Sequence, residues 1–300
     1  MDIAKSSSER PPVMNNTSNG SYEGPRGRVG RTKVAILTII DEEFEAVQTL
    51  FDLQHYVSGP GTAYFVANPS PTEEFDVVLL RSGDRTNIPA AKAVQDVMED
   101  FRPQLIVLVG VAGGLCDDEN KGRDGIHVGD VLIADFVSYV EFLKLDGGHL
   151  RMRNFAIDHP SVPIRESLAF PLSKTFKIKD HLVVQPPADP PNAPLKIHIG
   201  NIVSAEKVLG DVDSPVQKDL LQPFDKALAI DMESIGVAKA VCSGRTSSWY
   251  HPRYVIVRGI SDLVSADENN AVRTKWKAFA AHTAALVAKS LITKFLSLSS

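Results

Sequence analysis

The sequence predicts an α/β protein, a three-layer α/β/α sandwich around a mixed central sheet. From about residue 33 onward, short apolar runs rich in β-branched residues alternate with segments of helical periodicity. Alternation on this scale is typical of proteins that carry helices on both faces of a sheet. The length of 300 residues is enough to bury one large core.

The first half of the chain supplies three strands and two helices. A predicted strand at residues 34–40 leads into a helix that Asp41 caps. A second strand at 75–83 is followed by a helix at 88–101, and a third strand at 105–115 runs into a group of glycines.

The second half begins with a long strand or strand pair at 127–142. Further strands are predicted within 197–210 and 227–234 and at 254–257, the last one buried on both faces. A long amphipathic helix at 271–295 completes the fold.

Two segments do not follow this alternation. Residues 1–31 are rich in Ser, Asn, Gly, Pro and Arg and predict a disordered leader, so residues 32–300 are expected to form a single domain. Residues 151–194 are a basic, proline-rich insert, predicted as a short helix at 167–181 followed by a long loop. Two interpretations of this insert stay open: it is either a lid over an enlarged pocket or a solvated surface elaboration.

The composition excludes several classes of function. A net charge of −5 provides no basic field for binding nucleic acid. No apolar stretch approaches the ~20 residues that span a bilayer. Cys116 and Cys242 lie in apolar segments and predict buried thiols in a reducing compartment rather than a disulfide. We therefore expect a soluble cytoplasmic protein without nucleic-acid or membrane partners.

Three acidic residues stand where predicted strands end. Asp231 and Glu233 follow one apolar run, and Asp262 follows the next, within the run RGISD at 258–262. Because open α/β sheets bind ligands at the carboxyl ends of their strands, these residues predict a carboxylate-lined pocket. Each acid taken alone has a plainer explanation, as an N-cap or as a favourable charge at a helix N-terminus.

Other kinds of catalytic site are not indicated. The glycine run at 110–114 matches neither a dinucleotide fingerprint nor a phosphate-binding P-loop. The eight histidines are scattered, so no metal site is predicted. No Gly-x-Ser-x-Gly elbow marks a serine nucleophile.

Six segments, taken in order, carry a family resemblance across residues 34–295, interrupted by the insert. They are VAILTIIDEEFEAV, LLRSGDRTNIPAA, LIVLVGVAGGL, VSAEKV, AIDMES and VRGISD. In this order they resemble the nucleoside phosphorylase/nucleosidase superfamily of the uridine phosphorylase type, and within it most closely the methylthioadenosine/S-adenosylhomocysteine nucleosidases. The expected fold is then a three-layer α/β/α sandwich around a mixed, partly barrel-like central sheet.

The resemblance implies cleavage of the N-glycosidic bond of a purine nucleoside or nucleotide, with a role for each acid. Asp262 would protonate the purine nitrogen N7, which requires a raised pKa, and Glu43 would position and deprotonate the attacking water. Glu233 would accept hydrogen bonds from the 2′- and 3′-hydroxyls, with Met232 against the ribose. Arg258 would oppose the raised pKa if it paired with Asp262, so we expect it to face elsewhere.

The same resemblance implies the rest of the substrate site and its assembly. The further residues expected to bind substrate are Asp231, Val208, Ser261, Ala112, Gly113 and Val111. No metal or organic cofactor is expected. Because members of the family build their sites at subunit contacts, a homodimer or higher homo-oligomer is expected.

Alternative functions stay open. Phosphorolysis would need a phosphate site, for which Arg81 and Arg85 are the candidates. The arginine that precedes the glycine run in phosphorylases is absent, however, and the acidic run 41–43 would repel phosphate. A nucleoside-binding sensor with weak or no turnover fits Val111 and Val208, which stand where a hydroxyl and an aromatic side chain are usual. An effector that depletes ATP or related nucleotides is a variant of the hydrolase.

Overall fold

The computed structural model describes residues 30–59, 62–67, 74–116, 121–153, 159–187, 194–210, 214–245, 250–264 and 269–298. Residues 1–29 of the predicted leader lie outside the described residues. The first strand begins at Arg31, the last residue assigned to that leader.

Strands and helices alternate through most of the described chain. The strands are β1 (Arg31–Thr38), β2 (His55–Ser58), β3 (Ala63–Val66), β4 (Glu74–Arg81), β5 (Leu105–Gly114), β6 (Val131–Tyr139), β7 (Leu143–Asp146), β8 (His149–Met152), β9 (Ile197–Ser204), β10 (Ala227–Asp231) and β11 (Arg253–Leu263). The helices are α1 (Asp41–Phe51), α2 (Asn87–Phe101), α3 (Val162–Ile164), α4 (Phe170–Thr175), α5 (Pro215–Leu221), α6 (Ser234–Gly244) and α7 (Asn269–Leu298). A π-helical turn (Arg165–Ala169) joins α3 to α4.

Nine of these strands form one mixed sheet in the order β10-β9-β6-β11-β5-β1-β4-β3-β2, and β10 also pairs with β5. That additional pairing closes β5, β11, β6, β9 and β10 into a barrel, from which the other four strands extend. β5 runs parallel to β1 and β11, whereas β6 is antiparallel to β11 and β10 is antiparallel to β5. The predicted mixed, partly barrel-like sheet is therefore confirmed.

Helices cover both faces of the sheet. On one face, α2 and α6 share a core cluster with alternate residues of the central strands, such as Leu108 and Ile256. On the other face, α1 and α7 pack against the intervening residues, such as Val109 and Val257. Burial on both faces explains why the central strands are continuous apolar runs.

Helix α7 is buried almost all round along its middle, which corrects the amphipathic helix predicted from the sequence. Residues 279–288 are all buried, and half of them are alanines. These small side chains let α7 approach β11 closely, so that a Cβ at Gly259 would lie 1.9 Å from the carbonyl oxygen of Ala280. Among the described helices, α7 included, none has the length and apolar character required to cross a membrane.

Three local features differ from the prediction. β11 continues to Leu263, so Asp262 lies within the strand rather than beyond its end. Helix α1 begins at Asp41 and its N-cap position is Ile40, so Asp41 does not cap it. The hairpins β2–β3 and β7–β8 were not predicted, because strands of four residues are too short to show a clear period.

Part of the described insert packs against the core, whereas most of its other described side chains are exposed or half-buried. Its helical part consists of α3, the π-helical turn and α4, and begins earlier than the predicted 167–181. Ile164, Leu168 and Leu172 are buried in the same cluster as the side chains of α7. The parts of the insert outside the described residues are 154–158 and 188–193.

The close approach of α7 to β11 predicts that Gly259→Ala destabilises the fold. The added methyl group meets backbone of α7, which cannot rotate away, so we expect a loss of about 1–3 kcal/mol in the free energy of unfolding. Urea denaturation measures it. The matched control is Gly83→Ala, where a Cβ meets nothing within 4 Å and stability should be unchanged or slightly higher. Equal stability of the two variants would contradict this packing.

Candidate active site

A cavity of about 330 Å³ opens beside the barrel, where β5, β10 and β11 end and where α1 begins. This volume lies at the lower end of the roughly 300–1,000 Å³ of small-molecule sites. The first three turns of α7 and the segment after β9 form its outer wall. Strand ends and helix starts thus converge on one concave surface.

Arg258 on β11 lies beneath this cavity and is fully buried. Its Nε and Nη2 contact Oδ2 of Asp231 at 2.9 and 2.6 Å, and Nη2 also donates to Oε2 of Glu233 at 3.0 Å. Its Nη1 lies 3.9 Å from Oε1 of Glu43. Gly110 leaves the necessary space, because a Cβ there would lie 2.2 Å from Nη1. Three carboxylates from separate elements therefore surround one guanidinium.

Asp231 is held entirely by protein groups, and its side chain is only 1% exposed. Its Oδ1 accepts from the backbone N–H groups of Glu233 and Ser234 at 3.3 and 3.2 Å, at the first turn of α6. Its Oδ2 accepts from the Ser234 hydroxyl and from Arg258. These contacts connect Asp231 to Arg258 and to the start of α6, and the substrate-binding role expected from the sequence stays a prediction.

The carboxylate of Glu43 folds back over the start of α1. Its Oε2 accepts from the N–H groups of Ile39 and Ile40 at 2.8 and 3.1 Å, and its Oε1 accepts from Val111 N on β5 at 2.8 Å. Burial raises the pKa of Glu43, while the charge of Arg258 and these N–H groups oppose that effect. One side chain thus caps the helix, contacts the central strand and lines the cavity.

Glu233 stands between Arg258 and the start of α2. Its Oε1 accepts from Thr86 N at 3.3 Å. Burial raises the pKa of Glu233 to about 7; Arg258 opposes this, and the nearby Asp231 and Glu43 add to it. Thr86 donates from a backbone with φ of 82°, a conformation that costs a non-glycine residue about 1–3 kcal/mol.

A β-bulge places Asp262 on the opposite face of β11 from Arg258. Residues alternate between the two faces of a strand, so Arg258 and Ile260 share one face while Gly259 faces α7. The register shift between Ile260 and Asp262 reverses this alternation. Asp262 therefore lies on the side of α7, where Asn269 hydrogen-bonds to it. Within the described part of the chain, Arg258 contacts the carboxylates of other residues and does not contact Asp262.

Asp262 is almost completely buried beside the hydroxyl of Ser261, which donates to its Oδ1 at 2.6 Å. Burial raises the pKa of Asp262, whereas the Ser261 hydrogen bond, the charge of Arg273 and the Asn269 hydrogen bond lower it. The net direction is upward. A carboxyl group with a raised pKa holds its proton to higher pH than an ordinary aspartic acid, as a general acid must.

The cavity brings together most of the site residues predicted from the sequence, and their roles stay predictions. Those that line it are Glu43, Arg85, Val111, Ala112, Gly113, Val208, Asp231, Met232, Glu233, Ser261 and Asp262. Arg81, a candidate for phosphate binding in the sequence, does not line this cavity. Its guanidinium pairs with Asp41 and donates to the carbonyl of Ile39 at 3.2 Å, so it lines a different cavity beside α1.

Sequence reasoning missed the basic side chains at the outer wall, Lys207, Arg273 and Lys277. Arg273 and Lys277 are one helical turn apart on α7, a spacing that an ordinary solvated helix face shows equally well. It also missed the ion cluster of Arg258. An arginine inside an apolar strand could have indicated it, because a buried charge requires partners of opposite charge. None of the described residues of the insert lines the cavity, so the expected lid is not found there.

The five-stranded barrel and the adjoining carboxylate-lined cavity define an α/β protein with a buried acidic small-molecule site. A model of the phosphorylase superfamily matches residues 33–297, and the chain belongs to this superfamily.

Two curated relatives differ in how much of their length is matched. A death domain-containing ATP nucleosidase from Amphimedon queenslandica is 25% identical over 208 residues, which is 68% of this chain and 36% of that protein. A 5′-methylthioadenosine/S-adenosylhomocysteine nucleosidase from Staphylococcus aureus (strain MRSA252) is 29% identical over 192 residues, which is 64% of this chain and 71% of that protein. The chain thus matches little more than a third of the length of the first relative.

Solved structures share the fold. The 5′-methylthioadenosine/S-adenosylhomocysteine nucleosidase of Neisseria meningitidis superposes with a TM-score of 0.66 at 18% identity, covering 88% of this chain and 99% of that chain. Futalosine hydrolase of Helicobacter pylori gives a TM-score of 0.65 at 17% identity, covering 88% and 98% of the two chains.

The ion cluster predicts that Arg258→Met strongly destabilises the protein. The substitution leaves buried carboxylates without their cation, so we expect a loss of about 3–5 kcal/mol in the free energy of unfolding near neutral pH. Without the cation the pKa values of Glu43 and Glu233, which burial already raises, rise further. The folded state then binds protons more tightly than the unfolded state, and the loss should shrink as the pH is lowered.

Arg253→Met is the matched control for this variant, because Arg253 is the exposed first residue of the same strand. Its effect should stay within about 0.5 kcal/mol in the same denaturation experiment. Wild-type stability of the Arg258→Met protein would contradict a structural role for the cluster.

Proposed function

We propose that this protein hydrolyses the N-glycosidic bond of a purine nucleoside or nucleotide and releases the free base. The observation that carries the proposal is the placement of Glu43, Glu233 and Asp262 around one cavity in three different environments. Membership of the phosphorylase superfamily supports it. The names of the relatives support it as well, since they describe nucleosidases for ATP and for methylthioadenosine.

Asp262 is the proposed general acid. Cleavage breaks the bond between C1′ of the ribose and N9 of the purine, and the electron pair leaves with the base. Transfer of the Asp262 proton to N7 neutralises the charge that develops on the ring. The burial of Asp262, on the face of β11 away from Arg258, supports this role because it favours the protonated form.

Glu43 and Arg258 are the proposed groups around the attacking water. Arg258 Nη1 is buried, has no hydrogen-bond partner among the described residues, and lies 3.9 Å from Glu43 Oε1. This separation is too long for a direct hydrogen bond but suits a water that accepts from Nη1 and donates to Oε1. The water oxygen forms the new bond to C1′, and its proton passes to Glu43.

Glu233 and Met232 are the proposed ribose contacts. An ionised carboxylate accepts a hydrogen bond from each of two neighbouring hydroxyl groups, as the 2′- and 3′-positions require. Thr86 N and Arg258 already hold Glu233 in one orientation. Met232 lies beside it at the cavity wall and offers an apolar surface to the sugar.

Phosphorolysis is a second candidate, which Arg85 favours because it lines the cavity. Inorganic phosphate would have to occupy the position of the water, beside the buried carboxylates of Glu43 and Glu233. Repulsion between these negative charges makes water the better nucleophile. A sensor without turnover is the third candidate, and Val111 and Val208 are the residues on which it rests.

We further propose that the protein acts in the cytoplasm as a homo-oligomer. Cys242 is a free thiol, which supports a reducing compartment, and both Cys116 and Cys242 are half-buried rather than buried as predicted. Ile88 and Val208 are 78% and 60% exposed, and a subunit contact would cover these apolar side chains.

Substitution of the acid and the base tests the mechanism. Asp262→Asn and Glu43→Gln should each lower kcat for base release by roughly 100-fold or more, because each removes a proton-transfer group. Free base is measured by chromatography with purine nucleosides and nucleotides, in the presence and in the absence of phosphate. Glu45→Gln, on the same helix but outside this cavity, should keep wild-type activity. Base release by either variant at the wild-type rate would refute the assigned roles.

The pH dependence of kcat/KM is expected to be bell-shaped. On the acid side, Glu233 with its pKa of about 7 takes up a proton and no longer accepts from both hydroxyls. As the pH rises, Asp262, whose pKa burial holds above that of an ordinary aspartic acid, loses the proton that it must donate. Initial rates at low substrate concentration, from about pH 5 to about pH 9, report these groups in the free enzyme. A profile that is flat through this range would contradict the assignment.

A further inference from the structure

The cavity has two zones of opposite charge. Its inner end holds Glu43, Glu233 and Asp262, which are 3%, 7% and 3% exposed. The outer wall holds a basic rim, which we define as Arg85, Lys207, Arg273 and Lys277. The whole chain carries a net charge of −5, so four cations around one opening are not a reflection of the average composition.

The basic rim is available to a ligand. The side chains of Lys207 and Lys277 are 46% and 38% exposed, and each pairs with one surface carboxylate, Glu141 and Glu42 respectively. Exposed ion pairs of this kind contribute little stability, so a bound anion displaces the carboxylates readily.

Neither arginine of the rim forms a direct ion pair with a carboxylate in the part of the chain that the structure describes, although the charge of Arg85 acts on Glu42 and that of Arg273 acts on Asp262. Arg273 Nη2 donates to the side-chain oxygen of Asn270 at 2.6 Å. Arg85 follows the turn at Asp84, and its neighbour Thr86 donates to Glu233, so Arg85 stands next to the proposed ribose contact. Guanidinium groups near a sugar site suit phosphate oxygens, which they bind with paired hydrogen bonds.

The proposed pose assigns most of the substrate to the inner end. The base contacts Asp262, the 2′- and 3′-hydroxyls contact Glu233, and C1′ faces the water at Glu43. The 5′-carbon is then the part of the sugar left to extend toward the rim. A neutral or apolar 5′-group would leave Arg85 and Arg273 facing it without a direct ion pair, whereas a phosphate group would pair with them.

The position of Arg273 adds a chemical reason for a phosphate group at the rim. Its positive charge acts on Asp262 and favours the ionised form of a group that must keep its proton. A phosphate bound at Arg273 neutralises that charge and removes the conflict. The bound substrate therefore adds to the effect of burial in favouring the protonated form of Asp262.

From these contacts we propose that the substrate is a purine nucleoside 5′-phosphate, whose phosphate group or chain is held by the basic rim. The inference rests on the proposed function, since it assumes that the inner end cleaves the glycosidic bond. The reaction stays hydrolytic. The products are free base and a ribose that keeps its 5′-phosphate group or chain.

A free inorganic phosphate would meet the same chemistry at the rim, and the experiment separates the two sources. Base release is measured with adenosine and guanosine and with their 5′-mono-, di- and triphosphates, each with and without added inorganic phosphate. The sugar product is identified by mass spectrometry. We expect nucleotides to be preferred by kcat/KM, no requirement for inorganic phosphate, and a preference that weakens as the salt concentration rises.

Rim variants test which side chains are responsible. Arg273→Gln and Lys277→Gln should each lower the ratio of kcat/KM for the preferred nucleotide to kcat/KM for its nucleoside by roughly 10-fold, mainly through KM. Arg273→Lys, which keeps the charge, should recover part of the loss. Lys275→Gln is the matched control, since Lys275 is exposed on the same helix and does not line the cavity. Thermal unfolding of each variant verifies that it is folded.

The outcomes separate this inference from the proposed function. Release of base from nucleosides at least as efficient as from nucleotides, or an unchanged ratio in both folded rim variants, would overturn the inference and leave the hydrolase intact. Base release that requires inorganic phosphate and yields ribose 1-phosphate would assign the rim to that ion and overturn the inference as well. No base release from any compound would overturn the proposed function itself, and the inference with it.

Discussion

A buried guanidinium needs partners in its own plane, and that requirement organises the inner cavity. Arg258 takes them from the start of α1, the end of β10 and the first turn of α6. Glu43 also holds the backbone of α1 and β5, and Asp231 also holds the start of α6. Elements far apart in sequence are therefore fixed to one another through a single cation. Gly110 is needed for this arrangement, because a side chain there would occupy the place of the Arg258–Glu43 contact.

The cluster contains more negative than positive charge. Asp231, Glu233 and Glu43 face one arginine, and the repulsion from Asp231 and Glu43 adds to the burial that raises the pKa of Glu233 to about 7. For stability alone, fewer carboxylates would serve better. For the proposed reaction the excess is useful, because the ribose ring becomes positively charged as the bond to the base breaks. The same residues thus trade stability for stabilisation of a cationic transition state.

Much of the fold and most of the cavity lining could be predicted from the sequence, because each depends on a local pattern. Buried strands appear as apolar runs, and Asp231, Glu233 and Asp262 appear as acids near their ends. The bulge before Asp262 could not be predicted, since it depends on pairing with β5. Neither could the Arg81–Asp41 contact or the position of Arg273 at the cavity, which depend on how helices dock on the sheet.

The two zones of the cavity are anchored very differently. Glu43, Asp231 and Glu233 are each held by several bonds to backbone or to Arg258, so a change at any one of them disturbs its neighbours. The rim side chains are half-exposed, are held by few contacts, and come from loops and from one helix face. Substitutions at the rim therefore cost little free energy of unfolding, whereas those beneath it cost much more. A lineage with this architecture can exchange one substrate for another while inheriting the reaction unchanged.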